Sequence, residues 1–558
     1  MTTMGGGTAR AESDCANGPF EHTYSAETVN LSKISHDRRD YDETNEYPSA
    51  AEGAFENVII QRESDSPLPS SGAQRPPRSD NLLTVETEYD GIRDTAFIEP
   101  PLQDPPIVAP SDSQIAVGQS KAVQAINRKL AIFNQRSGTL ELQVPFEQLF
   151  NPVITEQTFV TGRPVLFDPR VRYDPNAGRF VLTLFYMYFP NWNGSWLVAA
   201  SDDDNPNGTW HLYRISTHSG DWPDFPTLGL DRDAIYLTAE TLPQSSSLPD
   251  IELAILDKHA VYNGEDVSVN HFTGMLLGPG TDPVPDIQLV VQPAFQPYSG
   301  GQSGTYYLMS SQTQSQIFFS EPDTGLTLWK VTDPLDEPSL TCSVLEVEPF
   351  SGLAGTDQDD IGVKQPNTDL RISIVGDRLM NLDYDDGSLW TAHATRYNWE
   401  DSTDEDVTAI RWYEIDPTTP EVVQSGTYGE PGTSYFLPHI SSDGAQTLMS
   451  YTVSGPERFP SIEVAGRTAD FTQEKMKASA VIQEGESSMI HPTKFGRRGE
   501  EEGVWWGDYM DISVHPTTGR FWVTGQYSPD FDIPLNGEEP DRYQTHIAEV
   551  SFDDAAVR

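Results

Sequence analysis

Six aspartates, Asp112, Asp168, Asp224, Asp286, Asp369 and Asp508, each stand in a short polar tag just ahead of an apolar run. Arg170, Arg371 and Tyr509 sit in the same tags. If the runs are equivalent strands of a repeated unit, the fold brings the tags to one place. Carboxylates gathered in a narrow, partly dry opening repel one another and raise their own pKa values. Two arrangements relieve that cost: the arginines pair with neighbouring acids, or a cation or cationic ligand occupies the ring. On the competing reading, each Asp caps its own turn and faces amides of the next unit. These nine residues are therefore the candidate ligand-binding groups, for a metal ion or a polar ligand.

A second candidate is the loop "SDDDNPNGTW" (201–210). Asp203, Asn205, Asn207 and Gly208 fall at positions 1, 3, 5 and 6 of a calcium-loop pattern. The closing bidentate Glu, due at position 12, is replaced by Arg214. The expectation is a hairpin turn near the outside of its sheet, with Trp210 opening the next strand and weak calcium binding at best. No motif requires a cofactor; Ca2+ is the one candidate. The eleven histidines form no HExxH or other close metal spacing, and neither a phosphate loop nor a GxSxG elbow is present. Trp505 and Trp506 could stack on a sugar, but tryptophans in such strands serve more often as core.

The elements that must position these groups are strands. From about residue 110, short runs of Val, Ile, Leu, Phe, Tyr and Trp alternate with turn clusters, as in "GRFVLTLFYMYF" (178–189), "DAIYLTAE" (233–240) and "GRFWVTGQY" (519–527). No amphipathic helix longer than three turns is evident. The pattern predicts an all-β fold. The runs recur as a unit, opening near 110, 167, 223, 284, 368, 435 and 506. A four-stranded unit with insertions is the mark of propeller blades. Seven openings predict seven blades; six is the other reading, since the unit from 284 is the most irregular. The predicted organisation is an acidic, mostly disordered segment over 1–109, a β-propeller over 110–552 and a tail over 553–558. Within the first segment, "NVII" (57–60) could add an edge strand.

Composition narrows the setting. Lys and Arg total 35 and Asp and Glu 85, a net charge of −50; only 9 of the basic residues are Lys. Such a surface excludes nucleic-acid binding, which needs a basic patch. At molar salt the Debye length falls to about 3 Å, which silences the repulsion, while scarce Lys stems limit salting-out. The combination points to a halophilic organism. No run of apolar residues is long enough to span a bilayer, and no signal-peptide h-region is visible. Cys15 and Cys342 are too few for a disulfide framework or a cysteine zinc site.

The segments "DPRVRYDPNAGRFVLT", "WLVAASDDDNPNGTWHLYRI", "DFPTLGLDRDAIYLTA", "RLMNLDYDDGSLWTAHATRY" and "WWGDYMDISVHPTTGRFWVTGQY" occur in order across about 110–552. Together they resemble a bacterial and archaeal family of secreted β-propellers distantly similar to sialidases. The resemblance implies an extracellular or cell-surface location; without a signal peptide, a cytoplasmic one is the other reading. It implies a non-enzymatic propeller that binds an unknown protein or glycan partner. A sialidase-like glycoside hydrolase is one alternative. That chemistry needs an arginine cluster, an acid/base carboxyl and an activated Tyr, and no third arginine is evident beside Arg170 and Arg371. A structural component of a cell envelope or virus particle is the other alternative.

Overall fold

Strands of β-branched and aromatic residues closed by tight turns bury little alone and must stack sheet against sheet. The computed structural model describes residues 13–34, 73–77, 82–93, 110–154, 164–188, 193–242, 250–276, 288, 290–298, 304–311, 323–351, 353, 362–374, 376–399, 406–471, 475–489, 504–530 and 543–553. They form a seven-bladed β-propeller of antiparallel blades. The innermost strands are Gln114–Val117, Pro164–Asp174, Trp222–Leu230, Gln292–Pro293, Asp383–Asp385, Ser434–Ser442 and Asp511–Val514. The core lies between blades. Leu130 and Val144 of the first blade join Val171 and Leu182 of the second, and Val198 and Tyr213 of the second join Leu237 and Leu256 of the third. Tyr236 and Tyr306 stack across the third and fourth blades with ring centroids 3.4 Å apart.

The N-terminal segment does more than the sequence indicates. Its strands Ser13–Asp14, Asn17–Tyr24 and Glu27–Asn30 add to the outer edges of blades four, three and two in turn. Both cysteines pin this belt, as a Cys15–Cys342 disulfide joining residues 327 apart. Further on, Gln74 bridges Tyr428 of the fifth blade and hydrogen-bonds both the N–H and C=O of Met476, beside the sixth. Leu83–Arg93 then supplies the outer strand of the seventh blade, against Gln544–Phe552. The ring thus closes with strands from both ends of the chain, and the belt covers edges that would otherwise template aggregation. Strand pairing is available to 13–33 because polar residues suit an exposed edge; seven consecutive residues of Asn17–Tyr24 are exposed. "NVII" lies outside the described residues.

Six of the seven predicted openings lead into an innermost strand. The one near 368 does not. The run after Arg371 pairs Ile372–Ser373 with Val504–Trp505 in a small parallel sheet, and the fifth blade opens later, at Asp383. Trp506 is fully buried beside Val363 and Phe436.

Candidate functional site

The two ends of the inner strands carry different chemistry. At their C-terminal ends, carboxylates cap their own turns. Asp174 Oδ1 accepts the N–H groups of Asn176 and Ala177, Asp231 Oδ1 those of Asp233 and Ala234, and Asp443 Oδ1 those of Ala445 and Gln446. At the N-terminal ends, the tagged aspartates reach across blades instead. Asp112, Asp168 and Asp508 each place a carboxylate oxygen within 4.8 Å of the other two. Asp112 Oδ1 accepts the Asp508 N–H at 2.7 Å, and its Oδ2 accepts from Asn127 Nδ2 at 2.6 Å. Asn127 Oδ1 in turn accepts the Asp168 N–H. Gly507 permits this approach: at its φ of +145° a Cβ would stand 3.1 Å from Asp112 Oδ1.

Backbone strain sets these side chains in place. Asp112, Asp168, Phe225 and Leu437 all have positive φ, between 44° and 55°. Such conformations cost non-glycine residues about 1–3 kcal/mol each and concentrate at functional sites. In blades two, three and six the strained residue precedes a proline, in Asp168-Pro169, Phe225-Pro226 and Leu437-Pro438. Each pair adds one residue to the inner strand, as the register shifts there record. A bulge at this point ends regular pairing and re-aims the flanking side chains.

Around the aspartates lie two arginines and a second pair of acids. Arg170 is 2 % exposed. Its Cζ lies 3.3 Å from the Tyr509 ring centroid and 5.3 Å from that of Phe225. Nε donates to the Pro226 carbonyl at 3.0 Å, and Nη2 has no partner. Asp224 and Glu240 are cross-strand neighbours, and Arg378 Nε stands 3.6 Å from Glu240 Oε1. Among the described residues, five acids, Asp112, Asp168, Asp224, Glu240 and Asp508, lie about two arginines. The imbalance shows in their proton affinities. Burial, then the Asp508 charge, pushes Asp112 well above the usual carboxyl range. Burial raises Glu240. Asp224 is pushed up to about 7, first by burial and then by Glu240 and Asp508, with Arg378 opposing.

A layer below, Arg172 donates to both oxygens of Asp511, at 3.0 and 2.8 Å, and Asp511 Oδ2 accepts the Ile115 N–H at 3.0 Å. His439 Nδ1 lies 3.2 Å from Asp511 Oδ1, and burial keeps this imidazole neutral. This layer ties blades seven, one, two and six together and supports the residues above it.

The mouth therefore brings together Asp112, Asp168, Arg170, Asp224, Asp508 and Tyr509. Asp369 is exposed, and Arg371 Nη1 donates to the Gly362 carbonyl. Both belong to the approach to the small parallel sheet, because the apolar run they precede is not a blade strand. Asp286 lies outside the described residues. In the 201–210 loop, Asp203 Oδ1 accepts the Asn205 N–H at 2.8 Å and Asn205 Oδ1 the Asn207 N–H at 3.4 Å, while Asn207 Nδ2 donates to Glu141. That geometry is an Asx-rich turn between the third and fourth strands of its blade. Asn127, Phe225 and Glu240 escaped the sequence reading, and Arg378 lies farther along its run than the tag at Arg371. A signal for the bulges existed: proline inside a central strand is confined to irregularities.

A carboxyl with a raised folded pKa binds its proton more tightly when folded. Its contribution to stability is present below the unfolded value of 3.8 and is lost as pH rises toward 7. Asp383, also pushed to about 7 by burial, acts in the same direction. Asp224→Asn should flatten the fall in melting temperature between about pH 4 and pH 8. An unchanged slope in a calorimetric pH series would show that Asp224 is ionised throughout.

No protein-family model matches the chain, and no curated protein does. Among solved structures, the polysaccharide lyase Uly1 is similar at 11% identity and a TM-score of 0.38, over 84% of this chain and 100% of that one. The Dos1 propeller is similar at 10% and 0.36, over 85% and 96%. A subtype N10 neuraminidase-like protein of A/little yellow-shouldered bat/Guatemala is similar at 8% and 0.31, over 70% and 100%. These values lend no support to any particular activity.

Proposed function

We propose that the chain is a binding propeller whose ligand sits at the mouth lined by Asp112, Asp168 and Asp508. The observation that carries this reading is the approach of three carboxylates from three blades to within 4.8 Å. Hard oxygen ligands in such a group suit Ca2+, and a divalent ion would ease the mutual repulsion of the three carboxylates. Arg170, with a buried and unpartnered Nη2, would contact an anionic or carbonyl group of a polar partner, a glycan or a protein, seated on that ion. An extracellular or cell-surface setting in a halophile accords with the charge of −50 and with a disulfide, a bond that persists in oxidising compartments. Among the described residues no helix is long and apolar enough to cross a membrane.

A glycoside hydrolase is the second reading, favoured by the cross-strand pairing of two carboxyl groups, Asp224 and Glu240. Asp224, at about 7, holds a proton near neutrality beside Glu240, as a general acid would. Hydrolysis of fluorogenic glycosides at molar NaCl, abolished by Asp224→Asn, would establish it. For the first reading, calorimetry of the full chain should give one Ca2+ per molecule. Asp168→Asn with Asp508→Asn should weaken binding at least about tenfold while the melting curve stays cooperative. Equal binding by the variant would sink the proposal.

A further inference from the structure

Three histidines far apart in sequence meet at the outer edge of the third blade. His22 lies on the belt strand Asn17–Tyr24, His271 on the blade strand Val267–Thr273, and His218 on the link between blades two and three. We propose that His22, His218 and His271 form a site for a divalent transition ion of the zinc class, which clasps the belt to the blade.

The distances fit. Two imidazole nitrogens bound tetrahedrally to zinc at about 2.05 Å stand about 3.3 Å apart. His22 Nε2 and His218 Nδ1 are 3.3 Å apart. Ring centroids in such a site stand about 5 Å apart, since each lies roughly 3.2 Å from the metal. The observed separations are 5.3 Å for His22–His271, 5.6 Å for His22–His218 and 6.4 Å for His218–His271. His22 and His218 are exposed, so their rings can turn to close the last interval.

The buried member is oriented as metal-bound histidines are. Glu252 Oε1 lies 2.7 Å from His271 Nδ1, and both side chains are fully buried. A carboxylate on one ring nitrogen fixes the tautomer and leaves the other as ligand. That other atom, His271 Nε2, is buried and has no hydrogen-bond partner. Leaving it so is costly, and a metal ion would satisfy it. The same Glu252 oxygen accepts the His218 N–H at 2.8 Å, holding the third ligand's backbone. Phe20 stacks on the His218 ring, 4.0 Å between centroids. Three nitrogens leave the fourth position to water. Imidazole donors favour zinc, copper or nickel over calcium, so this site is chemically distinct from the mouth.

The test is calorimetric titration of the chelator-stripped full chain with Zn2+ in excess Ca2+. Visible absorption of the Co2+ form should report a tetrahedral site. The wild type should bind one Zn2+. His22→Ala and His218→Ala should each weaken binding at least about tenfold, and His271→Gln, checked for cooperative melting in EDTA, should do the same. The absence of one-to-one binding by the wild type would overturn the proposal. So would undiminished binding by His22→Ala or His218→Ala, or by a folded His271→Gln, which would leave only an exposed histidine pair.

Discussion

A chain lacking residues 1–93 should fail to melt cooperatively, or should melt at least about 10 °C below the full chain. Leu83–Arg93 is the outer strand of the seventh blade, and it also reaches the first. The Ile92 N–H donates to Gln124 Oε1 at 2.7 Å, and Thr545 Oγ1 donates to the Ile92 carbonyl at 2.6 Å. Leu82 and Ile92 are each 3 % exposed, and burying such side chains is worth about 1.5–3 kcal/mol apiece. Their loss would uncover the whole edge of Gln544–Phe552, a template for aggregation. Removing residues 1–34 alone should do much less. Blades two, three and four would each keep four strands of their own. Equal melting of the 1–93 deletion and the full chain would show that the ring closes without its N-terminal strand.

The melting temperature should rise by at least about 10 °C between about 0.1 M and about 3 M NaCl. With 85 acids against 35 bases, self-repulsion destabilises the compact state unless it is screened. Among the described residues most acids are exposed or partly exposed, where ions reach them. The buried groups at the mouth should be screened far less, so the slope of stability with pH near 7 should persist at high salt. A flat salt series would remove the argument for a halophilic setting.

The propeller was legible because its signals are local and repeated. Turn chemistry and period-2 apolar runs appear in every blade, and the tags at 110, 167, 223 and 506 mark true inner strands. The tag near 368 misled, because "RISIV" has the composition of a blade strand yet pairs with Val504–Trp505. Nothing local separates the two uses of that run. The belt was opaque for a related reason. A strand that pairs along an exposed edge needs no apolar face, so residues 17–24 read as polar chain. At the mouth, the tagged aspartates could be found from their repeated position. Glu240 is brought in by cross-strand pairing with Asp224, and Arg378 by the long approach to the fifth blade. Neither relation is written in a motif. The histidines at 22, 218 and 271 show the limit most plainly: their spacing carries no signal, and only the belt's path joins them.

The central claim is that Asp112, Asp168 and Asp508 hold a cation. A crystal soaked in terbium, which takes calcium's oxygen ligands, tests it most directly through anomalous scattering. The account predicts a peak bounded by those three carboxylates and absent from the Asp168→Asn, Asp508→Asn variant. Peaks confined to the acidic outer surface, with none between the three aspartates, would contradict it.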